Sequence, residues 1–344
     1  MAYQLGAVFL IAIVFFILFR HLALTIGLVD KPDARKQHKG NIPLVGGVVI
    51  YISLMLILWW MPEFMPGTNI YILCVTMLVF LGGIDDRFNL PVNLRIVVQG
   101  GLAFIMIISG MEIGSLGKIW GSDILTLGYG TWLLTPIAVW GAISAYNMID
   151  GIDGQLGVQS CVTFASLAII FTMSDLPLNA LWCLSLISSL LAFLLFNLNL
   201  LGANKKVFMG DSGSMAIGFT ILWLLINSTQ GEFSVMRPIT ALWLAAIPIM
   251  DMATVILRRI LHRRSPFRAG RDHLHHILMQ RGLTAYQALA VSSLWTIIFA
   301  SVGVLGEMIN VAEQLMSLAF LLCFISYFIF FREPHSPEKY HTES

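Results

Sequence analysis

The chain alternates long apolar runs with short polar punctuation from one end to the other. Eleven runs stand out, at residues 3–25, 42–61, 68–84, 93–110, 131–149, 155–173, 179–197, 211–228, 239–257, 286–306 and 312–331. A helix needs about 17–25 such residues to cross a hydrocarbon core. A segment in lipid must satisfy its own backbone hydrogen bonds, so these runs predict transmembrane helices. They are too continuously apolar for the alternating strands of a membrane barrel. The pattern predicts an all-α polytopic integral membrane protein, one domain over residues 1–344, with about eleven spans. Between spans, "MEIGSLGKIWGSDILTLGYG" (111–130) mixes glycine, polar and β-forming residues and predicts a small hairpin. The longest polar stretch is 258–285, and no internal repeat is visible.

Composition narrows the classes further. Of 344 residues 58% are hydrophobic and only 11% charged, with mean hydropathy +0.83. Disorder and an ordinary soluble fold are excluded on those values, and a net charge of +1 gives no footing for nucleic acid. Cys74, Cys161, Cys183 and Cys323 lie scattered in apolar runs without a CxxC pair, as small core hydrophobes do. No basic residue precedes Arg20, so the first run is expected to remain as a span and not to be cleaved as a signal peptide.

Charge sets an orientation. With the N-terminus outside and the chain alternating, 18 of the 20 Lys and Arg fall on one side, leaving only Lys118 and Arg237 opposite. The positive-inside rule makes that side cytoplasmic, with a periplasmic N-terminus and a cytoplasmic C-terminus. Asp85, Asp86, Asp150, Asp153 and Asp211, and all eight histidines, then gather on the cytoplasmic side. Asp251 lies inside the ninth run, about two turns from its cytoplasmic end.

A carboxylate beside lipid is costly unless it lines a wet site or is paired, so these acids are candidate functional groups. Acids and bases on one face suit a phosphate-rich substrate held through Mg²⁺, with Mn²⁺ as the alternative ion. Mg²⁺ takes oxygen ligands, commonly one or two carboxylates plus substrate phosphates. Each piece has a plainer reading beside it. Asp85 and Asp86 could be a solvated helix end paired with Arg87. Asp150 and Asp153 share a face at i,i+3 spacing, or cap a tight polar turn made by Gly151 and Gly154. Asp211 and Ser212 could hold phosphate at a helix N-terminus or merely cap it. "RDHLHH" sets Arg271, His273, His275 and His276 together; phosphate contact competes with a solvated basic loop and a zinc site of non-standard spacing. In the first loop Lys36 and His38 either anchor the chain at the surface or meet a phosphate. Asp251 either bonds a polar neighbour structurally or supports the site from behind.

Five strings occur in a telling order: "DKPDARKQHKGNIPLVGG" (30–47), "GGIDDRF" (82–88), "NMIDGIDG" (147–154), "VFMGDSGS" (207–214) and "SPFRAGRDHLHH" (265–276). From about residue 20 to 331 the chain resembles the polyprenyl-phosphate N-acetylhexosamine-1-phosphate transferases (MraY/WecA-like, glycosyltransferase family 4). The resemblance implies the MraY-like membrane fold, with loops 26–41, 85–92, 198–210 and 258–285 forming a cytoplasmic active site at the bacterial inner membrane. It implies that undecaprenyl phosphate attacks the sugar-bearing phosphorus of UDP-GlcNAc and UMP leaves, giving undecaprenyl-diphospho-GlcNAc, the starter for O-antigen and enterobacterial common antigen chains. It makes Asp211 the leading metal ligand, with Asp85 and Asp86 helping to position metal and lipid phosphate and one of them, Asp85 by preference, taking the lipid phosphate's residual proton. Asn147, Asp150 and Asp153 would hold nucleotide or the metal's water shell, and Arg271, His273, His275 and His276 the sugar diphosphate. One departure stands out: many members carry DDxxD, where this chain has the neutral Asn89 at the last position. The same chemistry on UDP-GalNAc or UDP-MurNAc-pentapeptide is the alternative. A secondary transporter is the rival from another class, but its sites lie near the midplane on repeated halves. Homodimerisation stays open.

Overall fold

A computed structural model describes residues 2–31, 40–60, 65–232, 234–266 and 270–331. Lys36 and His38 lie outside these residues. The described chain is helical: α1 (Ala2–Ile26), α2 (Gly46–Trp60), α3 (Thr68–Phe88), α4 (Val92–Ile108), α5 (Thr131–Ile149), α6 (Gln155–Met173), α7 (Pro177–Asn197) and α8 (Gly210–Thr229). There follow α9 (Pro238–Leu244), α10 (Ala246–Leu261), α11 (Leu274–Gln280), α12 (Ala285–Met308) and α13 (Glu313–Phe330). Among the described residues eight helices are long and apolar enough to cross a membrane, and nine if the bent pair α9–α10 counts as one span. The runs expected at 42–61 and 93–110 form shorter apolar helices, Gly46–Trp59 and Val92–Ile108. The protein is thus a multi-pass helical membrane protein.

Helix α8 is the pillar. Nearly every residue from Ser212 to Thr229 is buried, and α2, α3 and α5 pack around it. Two close approaches make this possible. A Cβ on Gly47 would sit 2.2 Å from the Gly213 nitrogen, and one on Gly82 2.3 Å from the Ser212 nitrogen. Small residues let membrane helices meet backbone to backbone, where van der Waals packing replaces the missing hydrophobic drive. Farther along, Tyr71 stacks on Phe219 with ring centroids 6.3 Å apart and bonds Thr220 through its hydroxyl at 2.9 Å. A second core joins Trp243 of α9 to Phe299 of α12 and Phe320 of α13.

The ninth expected span, 239–257, is not one rod. The chain bends by 83° between α9 and α10. Pro248 is the cause: it has no N–H for the Leu244 carbonyl four residues back, so the ladder opens there. The freed carbonyl accepts the Thr163 hydroxyl of α6 at 3.0 Å, which satisfies it inside the protein as burial at membrane depth demands.

At the opposite end of the bundle from the acid-bearing loops, Arg237 finds its reason. Its guanidinium meets Glu307 at 3.1 Å and donates to the Gly306 carbonyl at 2.7 Å, tying the start of α9 to the end of α12. The segment 111–130 does form a hairpin-like turn, with an antiparallel bridge between Ser115 and Thr126. Gln230 holds it by accepting the Gly114 and Ser115 amides at 3.1 and 3.0 Å. The remaining sheet is small: β1 (Val29–Asp30) pairs antiparallel with β2 (Ile42–Pro43), and the Phe208 amide donates to the Pro43 carbonyl at 2.9 Å. That bridge seats the end of the first loop beside the entrance to α8.

Candidate active site

The acids converge where α8 begins. Gly210 takes φ +76°, a left-handed conformation that glycine adopts without penalty. A Cβ there would also lie 2.5 Å from Asp86 Oδ2. The turn brings the first amides of α8 onto the end of α3. The Asp211 amide donates to Asp86 Oδ1 at 2.7 Å and the Ser212 amide to Oδ2 at 3.3 Å. Asp86 therefore caps α8 from another helix, a favourable place for a negative charge. Asp211 itself stands in the first turn of α8. Its Oδ1 accepts the Asn147 side-chain amide at 2.6 Å, and the same nitrogen lies 2.8 Å from Ser214 Oγ. Asn147 thus aims the Asp211 carboxylate.

Asp85, next to Asp86, lies against the Asp211 carboxylate and is anchored from α4. It is buried; its Oδ1 accepts the Leu90 amide at 2.6 Å and its Oδ2 meets Arg95 of α4 at 2.7 Å. Asn89, the departure from DDxxD, ends α3 with φ 51°. Asparagine tolerates that left-handed capping position. The expected loop 85–92 is therefore largely the last turn of α3 and its cap.

The "NMIDGIDG" segment closes the other wall. Asp150 terminates α5, and Asp153 pairs with Lys206. The Gly154 amide donates to Asn197 Oδ1 at 2.6 Å, while Asn197 Nδ2 donates to the Val207 carbonyl at 3.0 Å. Asn197 so clips this loop to the strand-like entry of α8. Asp150 has its pKa pushed up to about 8, by loss of hydration and then by the charges of Asp211, Asp86 and Asp153. Its side chain still opens to solvent, so repulsion among the carboxylates is the cause that survives hydration. No described Lys or Arg forms an ion pair with Asp86, Asp150 or Asp211. Among the described residues no three His, Cys, Asp or Glu side chains group into a cage for a metal. Mg²⁺ needs no such cage, since it keeps waters and takes one or two carboxylates besides phosphate oxygens. A crowded, unpaired, all-oxygen donor set fits a hard cation.

The histidine tract reaches the same cleft. Loop 258–285 is not all loop, because α11 occupies Leu274–Gln280. His275 lies over Gly151, where a Cβ would fall 2.1 Å from its Nε2. Its buried ring nitrogens have no protein partner among the described residues. Burial, with the charge of His276, lowers the His275 pKa to about 3; burial, His273 and Arg271 lower His276 to about 4. His273 moves the other way. Burial pulls it down, but its hydrogen bond to Asp251 and that carboxylate's charge outweigh the loss and raise it. Its Nδ1 lies 2.8 Å from Asp251 Oδ2. Arg259 grips Asp272 with two bonds of 2.9 and 2.7 Å and fixes the approach to the tract. Arg271 is exposed at the rim.

The structure thus brings Asp85, Asp86, Asn147, Asp150, Asp211 and the His275 ring to one cleft, with Arg95 against Asp85 and Lys206 against Asp153 at its edge. Sequence reasoning missed Arg95, Asn197, Lys206, Arg259 and Tyr327. Each is a single polar residue outside the quoted strings, or beside one, with no spacing signal of its own.

These features define a multi-pass membrane protein whose helix ends hold a carboxylate cluster suited to a cation and phosphates. The chain belongs to glycosyl transferase family 4: that family's model matches residues 68–229, the stretch from α3 to α8 that carries every acid of the cleft. It is similar to the undecaprenyl-phosphate alpha-N-acetylglucosaminyl 1-phosphate transferase of Escherichia coli O157:H7, 42% identical over 326 residues, 94% of this chain and 89% of the relative. The enzymes of the same name from Yersinia pestis (42% over 330 residues, 95% and 90%) and Haemophilus influenzae (42% over 323 residues, 93% and 90%) are similar to it as well.

Proposed function

We propose that this protein transfers GlcNAc-1-phosphate from UDP-GlcNAc to undecaprenyl phosphate, giving undecaprenyl-diphospho-GlcNAc and UMP. The observation that carries the reading is the convergence of Asp86, Asp150 and Asp211 from three helices on the N-terminus of α8, in a chain 42% identical to transferases of that name. An oxygen of the lipid phosphate attacks the sugar-bearing phosphorus. The bond from that phosphorus to the bridging oxygen breaks, and the electron pair leaves with UMP. One phosphoanhydride replaces another, so the reaction is readily reversible. Phosphoryl transfer asks for positioning and charge stabilisation more than for covalent help. The attacking phosphate, with a second pKa of roughly 6, is largely dianionic at neutral pH and needs little assistance from a base.

Mg²⁺, or Mn²⁺ in its place, would be held by Asp211 with Asp86 and would neutralise charge on the diphosphate. Asn147 keeps Asp211 in one rotamer for that task. Asp85, held between Arg95 and the Asp211 carboxylate, helps to seat the lipid phosphate and takes its residual proton. Asp150 and Asp153 face the nucleotide and the ion's waters. Arg271, His273, His275 and His276 contact the sugar diphosphate, and Lys36 and His38 the phosphates from the first loop. The cleft faces the cytoplasm of a bacterial inner membrane, the side to which 18 of 20 Lys and Arg are assigned by alternation of the chain.

The test is UMP release by purified protein, with and without undecaprenyl phosphate and Mg²⁺. Release that requires both supports the reading. Release only with another UDP-sugar keeps the chemistry and changes the substrate. Silence with every UDP-sugar from folded protein refutes the transferase reading. Asp211→Asn should lower turnover by about 10²-fold or more at limiting Mg²⁺; wild-type turnover there would remove Asp211 from the metal.

A further inference from the structure

Asp251 is a buried carboxylate on α10, just past the bend in a broken membrane span, and none of the steps above uses it. Among the described residues it has three hydrogen-bond partners. Oδ2 lies 2.8 Å from His273 Nδ1; Oδ1 accepts the Leu274 amide at 2.8 Å and the Tyr327 hydroxyl at 3.1 Å. Three elements therefore meet on one side chain. Leu274 opens α11, so one of that helix's orphan amides is satisfied. Tyr327 comes from α13, which gives only Met316 and Tyr327 to the buried interior. His273 comes from the tract that borders the acid cleft through the contact of His275 with Gly151.

The ring of His273 has two nitrogens with different fates. Nδ1 is spoken for by Asp251. Nothing among the described residues bonds Nε2, and it is not among the buried atoms left without a partner. A carboxylate that accepts from Nδ1–H fixes the ring plane and favours the doubly protonated imidazolium, whose Nε2–H is left to face an anionic target. Holding a buried carboxylate here is expensive unless it does such work, since a charge at membrane depth must be fully paired.

We propose that Asp251 is a positioning residue for the sugar diphosphate: with Tyr327 it locks His273 so that Nε2–H is presented to the phosphate oxygens of the UDP-sugar. This rests on the transferase reading above. Asp251 touches neither substrate nor ion; it acts through His273. The bend that Pro248 imposes falls between α9 and α10, shortly before the turn of α10 that carries Asp251.

The experiment is a double-mutant cycle in full-length protein, with KM measured separately for UDP-GlcNAc and undecaprenyl phosphate. Asp251→Asn keeps a carbonyl oxygen for the Leu274 amide and the Tyr327 hydroxyl but gives up the charge that His273 Nδ1–H faces. It should raise KM for UDP-GlcNAc about 10- to 100-fold, the range seen when the partner behind a working histidine is removed. KM for undecaprenyl phosphate should stay unchanged. In a His273→Ala background Asp251→Asn should add nothing further. An equal rise in both KM values, or full additivity with His273→Ala, overturns the proposal and leaves Asp251 as a strut. Tyr327→Phe removes one of the three bonds and is the milder variant should Asp251→Asn not fold; it should raise the same KM by about three- to tenfold, and wild-type kinetics there would also count against the lock. Nitrogen spectra of ¹⁵N-histidine-labelled protein read the His273 Nδ1–H without turnover. Loss of its hydrogen-bonded signature in Asp251→Asn supports the lock, and an unchanged His273 signal refutes it. A wild-type protein that releases no UMP would instead strike the transferase reading, so the two failures are separable.

Discussion

Two neighbouring glycines on α3 offer a sharp test of how the acid cluster is held. A methyl on Gly82 would lie 2.3 Å from the Ser212 nitrogen, 2.4 Å from its Cα and 2.6 Å from the Asp211 carbonyl carbon, whereas one on Gly83 meets nothing within 4 Å. Backbone cannot swing aside as a flexible side chain can. To restore ordinary contact, α3 and α8 must part by about 1 Å, a strain of about 1–3 kcal/mol by the record of overpacked cores. That movement also separates Asp86 from the two amides it caps. The 2.7 Å bond from the Asp211 amide passes out of hydrogen-bonding range and the 3.3 Å bond from Ser212 is lost outright. Misplacement by 1 Å at a reacting centre costs about 10²-fold in rate. Gly82→Ala should therefore melt several degrees lower and turn over about 100-fold more slowly. Gly83→Ala should match wild type in rate and be equal or slightly better in melting temperature, because alanine is the better helix former. Both are read from thermal unfolding in detergent and from UMP release. Wild-type melting and turnover in Gly82→Ala would refute the close α3–α8 contact as the frame of the site.

Gly151→Ala places a methyl 2.1 Å from His275 Nε2 and should push the histidine tract off the "NMIDGIDG" loop, raising KM for UDP-GlcNAc while Asp211→Ala-type loss of metal dependence is absent; unaltered KM would separate the two loops functionally. Asp150 has a folded pKa of about 8 against an unfolded value of about 4. The metal-free fold thus holds an extra proton between those values, and stability falls as pH rises from about 4 through about 8. Melting curves in EDTA should show that slope, Asp150→Asn should flatten it, and a slope of the opposite sign would contradict the carboxylate repulsion. Mg²⁺ competes with the same proton, so its apparent affinity should climb from pH 6 to a plateau above about 8; titration calorimetry showing pH-independent affinity would exclude Asp150 from the ion's surroundings.

Much of this molecule can be read from the order of its residues, because lipid is a demanding solvent. Apolar runs had to be helices, and the runs at 131–149, 155–173 and 179–197 match α5, α6 and α7 nearly to the residue. The quoted acids did meet in one place. What stayed hidden was of two kinds. The bend between α9 and α10 was signalled by Pro248 in "IPIMD", but an apolar run hides a proline that removes only one ladder bond. The pairings of Asp85 with Arg95, of Asn197 with Gly154 and of Asp251 with His273 and Tyr327 join residues distant in the chain. Spacing rules reach one helix turn and no farther, so such partners emerge only with the fold. Asp85 and Asp86 show the limit well. Side by side in sequence, both reach the start of α8 by different routes, Asp86 through the α8 amides and Asp85 between the Asp211 carboxylate and Arg95 of α4.

The bend at Ala245 also has a consequence for the membrane itself. A straight helix of α9 and α10 together would reach about 35 Å at 1.5 Å per residue. Folded by 83°, the two halves reach at most about 27 Å from end to end however the angle is shared between them, short of the ~30 Å hydrocarbon core. Lipid that met this pair directly would have to thin, tilt or draw its headgroups inward to match it. The bilayer would then act as an elastic element loaded against this part of the protein. Catalysis should then be tuned by acyl-chain length, faster in the thinner bilayers that relax the mismatch than in the thicker ones that sharpen it.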